Sequence, residues 1–570
     1  MKTLAVSMAI VFLWQWMFPP QAPVVPVKPQ VAQPTSTGTA TPGGGSIISE
    51  LTSQSVTDQA KLLGPAQTLK TLSSPVHQVS VNSHGQIERW EITEKQYLHS
   101  FASGKSEPYL IAERVAETRA RLAQRAQLKE GAEKPQVAPF LSPQVSLFVN
   151  DQPLALSYTL VNSAPDGSAV TLRGSARGFE VERVFTLAPD RYGMDVTLKV
   201  RNVNAEPAHL KVIGVTRALQ DLTESQGGMF SPPLNMLESL CAHGDELERD
   251  PLTSLKDKAS DSEPLSFNGA RWVGVNNRYF MSAMSAPHAV GCVQSSTPGD
   301  AGLTEAPIGT SPVSTKAVIY EGFVNPQTTL TETLSLYGGP KKLEALKANE
   351  PSLSEAIDFG IFTPICLPML FMMRTFFGLI PNWGVAIILL TILVKLLTLP
   401  LTIKQYRSMA AMKKIQPEMQ ALKEQYQKTD PMRFQQESMA LYKKHGVNPV
   451  AGCLPMLLMM PVYFALYRTI YSAVELYQAS FFGWLNDLSM PDPYLITPVA
   501  LGLLMLLQAR LNPSPGMDPT QRKMMTTFMP LMFGGMMLFL PSGLVLYIFV
   551  NTVLGIFQQV WSQKQSEQVA

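Results

Sequence analysis

The long apolar stretches in the last third of the chain contain no Asp, Glu or His, and one of them carries a lysine, Lys395, in its interior. That lack excludes the membrane acids and histidines on which proton- and ion-coupled transporters run. It equally excludes the paired membrane aspartates, the H-E-x-x-H helix and the serine with a histidine partner of intramembrane proteases. Cysteine is scarce, with four in 570 residues and none spaced C-x-x-C, so no metal or redox motif is present. Cys241 and Cys292 fall in a polar region, Cys366 and Cys453 in apolar ones. A Cys241 to Cys292 disulfide suits an oxidising compartment, and two buried thiols suit it equally. Ser103-Gly104-Lys105-Ser106 resembles the end of a phosphate loop, but His99 stands where the first glycine belongs. No cofactor is implied.

What is there divides the chain. The first 350 residues are Pro-rich and strand-like, and the last 220 hold the apolar runs and 20 of the 28 Met. Such a length needs more than one core. Leu4 to Phe18, behind Lys2, suits a signal-peptide core or a short span. Pro19-Pro20-Gln21-Ala22-Pro23 offers no small-x-small cleavage site, which favours an uncleaved anchor over 1–18. The Pro- and Gly-rich stretch 19–45 then reads as an extended linker.

Residues 46–350 read as a water-facing domain. Met194, Val196, Leu198 and Val200 alternate with Asp195, Thr197, Lys199 and Arg201, the period of a strand with one wet face. Phe179 to Leu187, Ala317 to Val324 and Leu330 to Leu336 behave alike, which predicts an all-β sandwich over about 75–338. Pro108 to Lys134, rich in Ala, Arg and Glu, predicts an exposed helix. Nothing in this domain reads as catalytic, and a scaffold or docking surface is its plain interpretation.

Past Pro351 the pattern predicts an α-helical polytopic membrane domain. Five spans cover about Trp383 to Leu401, Pro449 to Thr469, Tyr494 to Ala509, Thr526 to Leu540 and Ser542 to Val560, all within 382–561. With the anchor they make six. The loop Ile403 to Val447 carries nine Lys/Arg against four acids, and Tyr471 to Pro493 has three acids and no base. By the positive-inside rule the first is cytoplasmic and the second periplasmic, with both termini inside. This basic balance reports orientation in an inner membrane and no DNA binding. Ile361 to Phe377, within 351–381, then lies in the interface as a helix broken at Pro364 and Pro368, its Arg374 snorkelling to headgroups.

The basic loop, 402–447, predicts a helical hairpin: Asp430-Pro431 supplies an N-cap and first-turn proline, and Gly446 a C-cap after Lys443, Lys444 and His445. With Lys413 and Lys414 it forms a basic projection suited to anionic lipid or ribosomal RNA. The tail 562–570 is short.

Lys395 sits about six residues from the cytoplasmic end of its span, ~9 Å deep at the helical rise. Insertion scales charge about 2.5 to 3.5 kcal/mol for a central lysine, so a span rarely keeps one without cause. With no membrane acid to pair, its relief comes from water and dipoles. Thr391, Gln508, Tyr463, Tyr467, Tyr547, Asn551 and Thr552 are the polar groups at hand. Together they suggest a wet, cation-bearing cavity open to the cytoplasm, able to hold the polar end of a segment crossing the membrane. Met460 and its neighbours Met456 and Met459, with the Met-rich stretch 524–537, add adaptable apolar surface.

The motifs then converge on one family. Asn382-Trp383-Gly384, Pro400-Leu401-Thr402 with Gln405 and Met409, Gln416-Pro417 and Ala440-Leu441-Tyr442-Lys443 come first. Asn448-Pro449, Gly452-Cys453-Leu454-Pro455, Met460-Pro461, Asp492-Pro493-Tyr494, Phe528-Met529-Pro530 and Pro541-Ser542-Gly543-Leu544-Val545-Leu546-Tyr547 follow. Residues 352–561 resemble the YidC/Oxa insertases, and Trp272 to Pro287 with Tyr337-Gly338-Gly339-Pro340 extend the likeness to the Gram-negative form. The resemblance implies a non-enzymatic insertase for nascent membrane proteins, with a hydrophilic groove closed to the periplasm and partnership with the Sec translocon and ribosome. It also implies that the groove cation is usually arginine, from which Lys395 departs, and Ile548 stands where a second tyrosine is common. A structural assembly scaffold is the alternative reading, and a transporter a more distant one.

Overall fold

A computed structural model describes residues 63, 65–100, 106–127, 136–222, 236–260, 265–298, 306–307, 309–426, 430–445, 449–511 and 522–568. The expected anchor and linker, 1–18 and 19–45, lie outside them.

The alternation read from the sequence becomes a buried face. In Gly193–Asn202, Met194, Val196, Leu198 and Val200 are all at most 3% exposed, while Lys199 and Arg201 face water. This strand pairs antiparallel with Phe179–Leu187 on one side and Thr329–Pro340 on the other. Burying one such aliphatic side chain contributes about 1.5–3 kcal/mol, so a one-residue slip in register would forfeit the whole row. Seventeen strands from Thr68–Ser73 to Thr329–Pro340 join in one hydrogen-bonded network that closes over a common core as a β-sandwich. Among the described strands the pairing is antiparallel except between Tyr109–Glu113 and Phe140–Val149. Cys241 and Cys292 are joined as a disulfide inside this core, their Cα atoms 6.5 Å apart.

The insert differs from its expectation. Tyr109–Glu113 is a fully buried strand, and among the described residues the helix, α1, covers Val115–Gln127. The run Tyr-Leu-Ile-Ala favours a buried strand, and the Ala/Arg composition begins only at Val115. Glu113 closes the junction by pairing with Arg121 at 3.0 Å.

A short helix α2 (Leu252–Ser260) flanks the sandwich, and α3 (Leu343–Asn349) leads out of it. The helical part then runs α4 (Thr363–Leu379), α5 (Trp383–Lys414), α6 (Gln416–Tyr426), α7 (Pro431–Lys444) and α8 (Pro449–Ser472). It ends with α9 (Ile496–Leu511), α10 (Met529–Met536) and α11 (Ser542–Gln568). Among the described residues Gly360–Leu379, Trp383–Ile403 and Ser542–Trp561 are long and apolar enough to cross a membrane, and Ile496–Leu511 and Met524–Phe539 are shorter apolar helices.

Three features depart from the sequence reading. First, α4 passes Pro368 unbroken, with Pro364 in its first turn, where a missing N–H costs nothing. Second, Arg374 does not snorkel: it binds the buried Glu475 and also Glu344. Third, the penultimate apolar stretch is composite, a π-turn over Met524–Phe528 followed by α10 and a 3-10 turn over Met537–Phe539. Pro530 at the start of α10 cannot donate to the preceding turn, which favours the wider π hydrogen bonding there. α9 and α10 meet at glycines, since a Cβ on Gly534 would lie 3.0 Å from the Gly502 Cα.

The hairpin forms as its capping signals imply. Asp430 caps α7 by accepting from the Arg433 N–H at 3.0 Å. Its C-cap is His445, one residue before the expected Gly446, which lies outside the described residues.

Candidate functional site

Four helices, α5, α8, α9 and α11, carry the predicted polar residues. Lys395 lies half-buried on α5 between the buried Thr391 and the exposed Leu396 and Leu397. Across from it is Gly555 of α11, where a Cβ would sit 3.7 Å from Lys395 Nζ and 3.2 Å from Gln508 Nε2 of α9. Lys395 and Gln508 therefore converge from different helices on one glycine. Among the described residues no carboxylate lies within ion-pair distance of Lys395.

A second cluster lies further along α11. The Tyr463 hydroxyl of α8 faces the Asn551 side chain and lies near Tyr547. Tyr547 is buried, whereas Tyr463, Asn551, Ile548 and Met460 are half-buried. Tyr467 turns to Tyr471 instead, the two rings stacking with centroids 5.7 Å apart. Thr391 and Thr552 are buried, and their hydroxyls donate back to Ile387 O and Ile548 O, each at 2.7 Å. Their protons are thus committed within their own helices. The sequence places polar groups correctly on these helices but does not reveal that two of the hydroxyls are spent locally.

Sequence reasoning missed Gly555, Gln558 and Gln559. Gln559 is 1% exposed, and the side-chain oxygens of both glutamines are buried without a partner. Their signal was legible: Asn551, Gly555 and Gln559 recur every fourth residue, a small and polar stripe on an otherwise apolar helix.

Around the cluster the surface is apolar. Leu396, Leu397, Leu503 and Phe557 are each more than 60% exposed, as hydrocarbon-facing side chains are. Met524, Met525 and Met529 are also exposed, while Met537 is buried.

Of the hairpin residues, Gln405, Met409, Lys413 and Lys414 fall within α5, their side chains outside the described set. Lys443 and Lys444 are exposed in the last turn of α7, where cations suit the helix dipole. Glu418 of α6 ties that end, 3.1 Å from His445 and 3.9 Å from Lys444.

Comparison with known proteins matches residues 372–569 to the family model described as 60Kd inner membrane protein, and residues 143–372 to the YidC periplasmic domain. The membrane protein insertase YidC of Anaeromyxobacter dehalogenans (strain 2CP-C) is 37% identical over 405 residues, 70% of this chain and 69% of that protein. The chain belongs to the YidC family of membrane protein insertases. The YidC of Laribacter hongkongensis (strain HLHK9) is 32% identical over 573 residues, covering all of this chain and 97% of its own length. A YidC insertase crystal structure with its first transmembrane domain resolved aligns with 90% of this chain and 98% of its own, at 16% identity and a TM-score of 0.34. As a YidC-family member the chain is a multi-pass inner-membrane protein with a periplasmic β-sandwich, and it is an insertase rather than an enzyme.

Proposed function

We propose that this chain passes hydrophobic segments of newly made proteins into the inner membrane through a polar groove between α5, α8, α9 and α11, with Lys395 as its cation. The observation that carries this is the convergence of Lys395 and Gln508 on Gly555 without an acidic partner. A lysine salt-bridged inside the protein would be electrically satisfied. An unpaired one offers its charge to a polar or acidic segment end and lowers the cost of taking that end off water. The tyrosines and Asn551 extend a polar track along α8 and α11, and the exposed aliphatic surface beside it lets a substrate helix leave sideways into lipid.

The basic hairpin, with Lys413, Lys414, Lys443 and Lys444, faces the cytoplasm in this reading and contacts anionic headgroups and the ribosome. α4 lies along the periplasmic interface, and the N- and C-termini are cytoplasmic. Work alone or beside the Sec translocon fits a groove open to lipid.

Purified protein in liposomes inserts a short single-span substrate unaided. Lys395→Ala lowers the yield, and Lys395→Arg, which keeps the charge, preserves it. Full insertion by the Ala variant discards the charged groove and leaves an assembly scaffold as the better account.

A further inference from the structure

The hairpin of strands Glu238–His243 and Glu246–Pro251 carries a histidine and two glutamates on one face of its tip. Gly244 and Asp245 form the two-residue turn, and Gly244 takes φ +50°, the positive value that so tight a turn requires. His243 stands opposite Glu246 across the ladder, and Glu248 follows two residues on. Opposite residues share a face of a sheet, and so do alternate ones. The spacing His243-x-x-Glu246-x-Glu248 thus gathers an imidazole and two carboxylates, and one ligand atom of each lies within 4.8 Å of the others.

The two carboxylates lack a cation. Among the described residues the side chains of Glu246 and Glu248 make no ion pair or hydrogen bond, so two like charges stand close together uncompensated. The histidine is held in place yet has a nitrogen to spare. Its ring lies flat on Phe267, with centroids 4.6 Å and planes 12° apart, and its Nε2 is buried with no hydrogen-bond partner. A buried polar nitrogen left alone is costly, and a metal ion would satisfy it while neutralising the carboxylates beside it. The backbone beneath is braced. Cys241 stands opposite Glu248 and Cys292 opposite Phe267, so the Cys241–Cys292 disulfide ties the strand of one carboxylate to the strand whose ring orients the histidine. Gln294 Nε2 also donates to Glu248 O at 3.3 Å.

We propose that His243, Glu246 and Glu248 form a binding site for a divalent transition-metal ion on the periplasmic sandwich, zinc being the ion its donors suit best. One imidazole nitrogen and two carboxylate oxygens match the ligand set of a three-residue zinc site with water in the fourth position. An imidazole tells against calcium and magnesium, which take oxygen ligands. The disulfide keeps the thiols of Cys241 and Cys292 out of the ligand set, which turns the site away from copper(I). Bonds of about 2.0–2.2 Å set ligand atoms roughly 3.3 Å apart around a tetrahedral ion, so atoms now up to 4.8 Å apart draw together. Glu246 is exposed and Glu248 half-buried, which leaves both free to rotate inwards. The site is independent of the groove described under Proposed function, and insertion does not depend on it.

The test uses the full chain in detergent, without a polyhistidine tag and stripped of metal by chelator, with zinc sulfate alone as the probe. Titration calorimetry gives a single zinc per chain, bound in the micromolar range. Glu246→Gln and Glu248→Gln, which keep the side-chain shape at positions open to water, each weaken binding by about ten-fold or more. His243→Asn does the same, and the two glutamine variants keep the test decisive should that one fail to fold. Asp245→Asn, on the turn but outside the ligand set, binds zinc like the natural chain. X-ray absorption of the bound ion shows imidazole nitrogen and oxygen neighbours and no sulfur. Binding that needs millimolar zinc, or that both glutamine variants retain, overturns the proposal. A zinc–sulfur distance of about 2.3 Å overturns it too, because the ion would then sit on cysteine thiols elsewhere in the chain.

Discussion

Gly555 of α11 stands against Lys395 of α5 so closely that a Cβ there would meet Nζ at 3.7 Å and Gln508 Nε2 at 3.2 Å. The first distance is ordinary contact, and the second asks a flexible amide to give by a few tenths of an ångström. Gly555→Ala is therefore tolerated, with its helix propensity gain of about 1 kcal/mol offsetting the tight contact. Gly555→Leu is not, because a branched side chain occupies the space between the lysine and the glutamine. Insertion in liposomes should fall on the order of ten-fold for Leu and stay within about two-fold for Ala, the overpacking cost being about 1–3 kcal/mol. Equal activity of both variants would show that the space carries no substrate.

The value of that glycine could not be read from hydropathy. A lone Lys395 in an apolar run is visible at once because charge in a span is costly, and so is the sandwich, because one strand face must be dry. Those features depend on residue type alone. Gly555 and the spent hydroxyls of Thr391 and Thr552 depend on which residues face one another across helices, which periodicity along one helix does not give. Arg374 fails for the same reason. As an isolated cation on an apolar helix it reads as snorkelling, and only the fold brings Glu475 to it from a loop about 100 residues away in sequence. The Cys241–Cys292 disulfide was likewise open until the pairing of Leu265–Asn276 with its two neighbours brought the cysteines together.

That ion pair leads to a stability prediction. Glu475 is 4% exposed and Arg374 is the cation bound to it. Arg374→Ala leaves a buried carboxylate unpaired, at a cost of roughly 3–5 kcal/mol. The companion change Glu475→Gln removes the orphaned charge, so the double variant Arg374→Ala/Glu475→Gln melts above the single one. Thermal unfolding in detergent checks the order. A double variant that melts no higher than Arg374→Ala would mean that the arginine acts through packing or through Glu344 instead.

The last prediction concerns acid. His77 is fully buried in the sandwich, and burial brings its pKa down from 6.5 to about 4. Trp90 Nε1 donates to His77 Nδ1 at 3.1 Å, which fixes the neutral ring with its proton on Nε2. Protonating Nδ1 would set two N–H groups against each other in an apolar surround. The folded state therefore binds this proton less readily than the unfolded chain. The stability tied to the neutral ring is complete above about pH 6.5 and is lost progressively as the pH falls towards 4, by about 3 kcal/mol in all. His77→Gln has no such titration. Denaturant midpoints followed by tryptophan fluorescence should fall more steeply between pH 7 and pH 4 for the natural chain than for the variant, even if the variant is less stable at pH 7. Parallel curves would place the acid sensitivity of the sandwich on its carboxylates and not on His77.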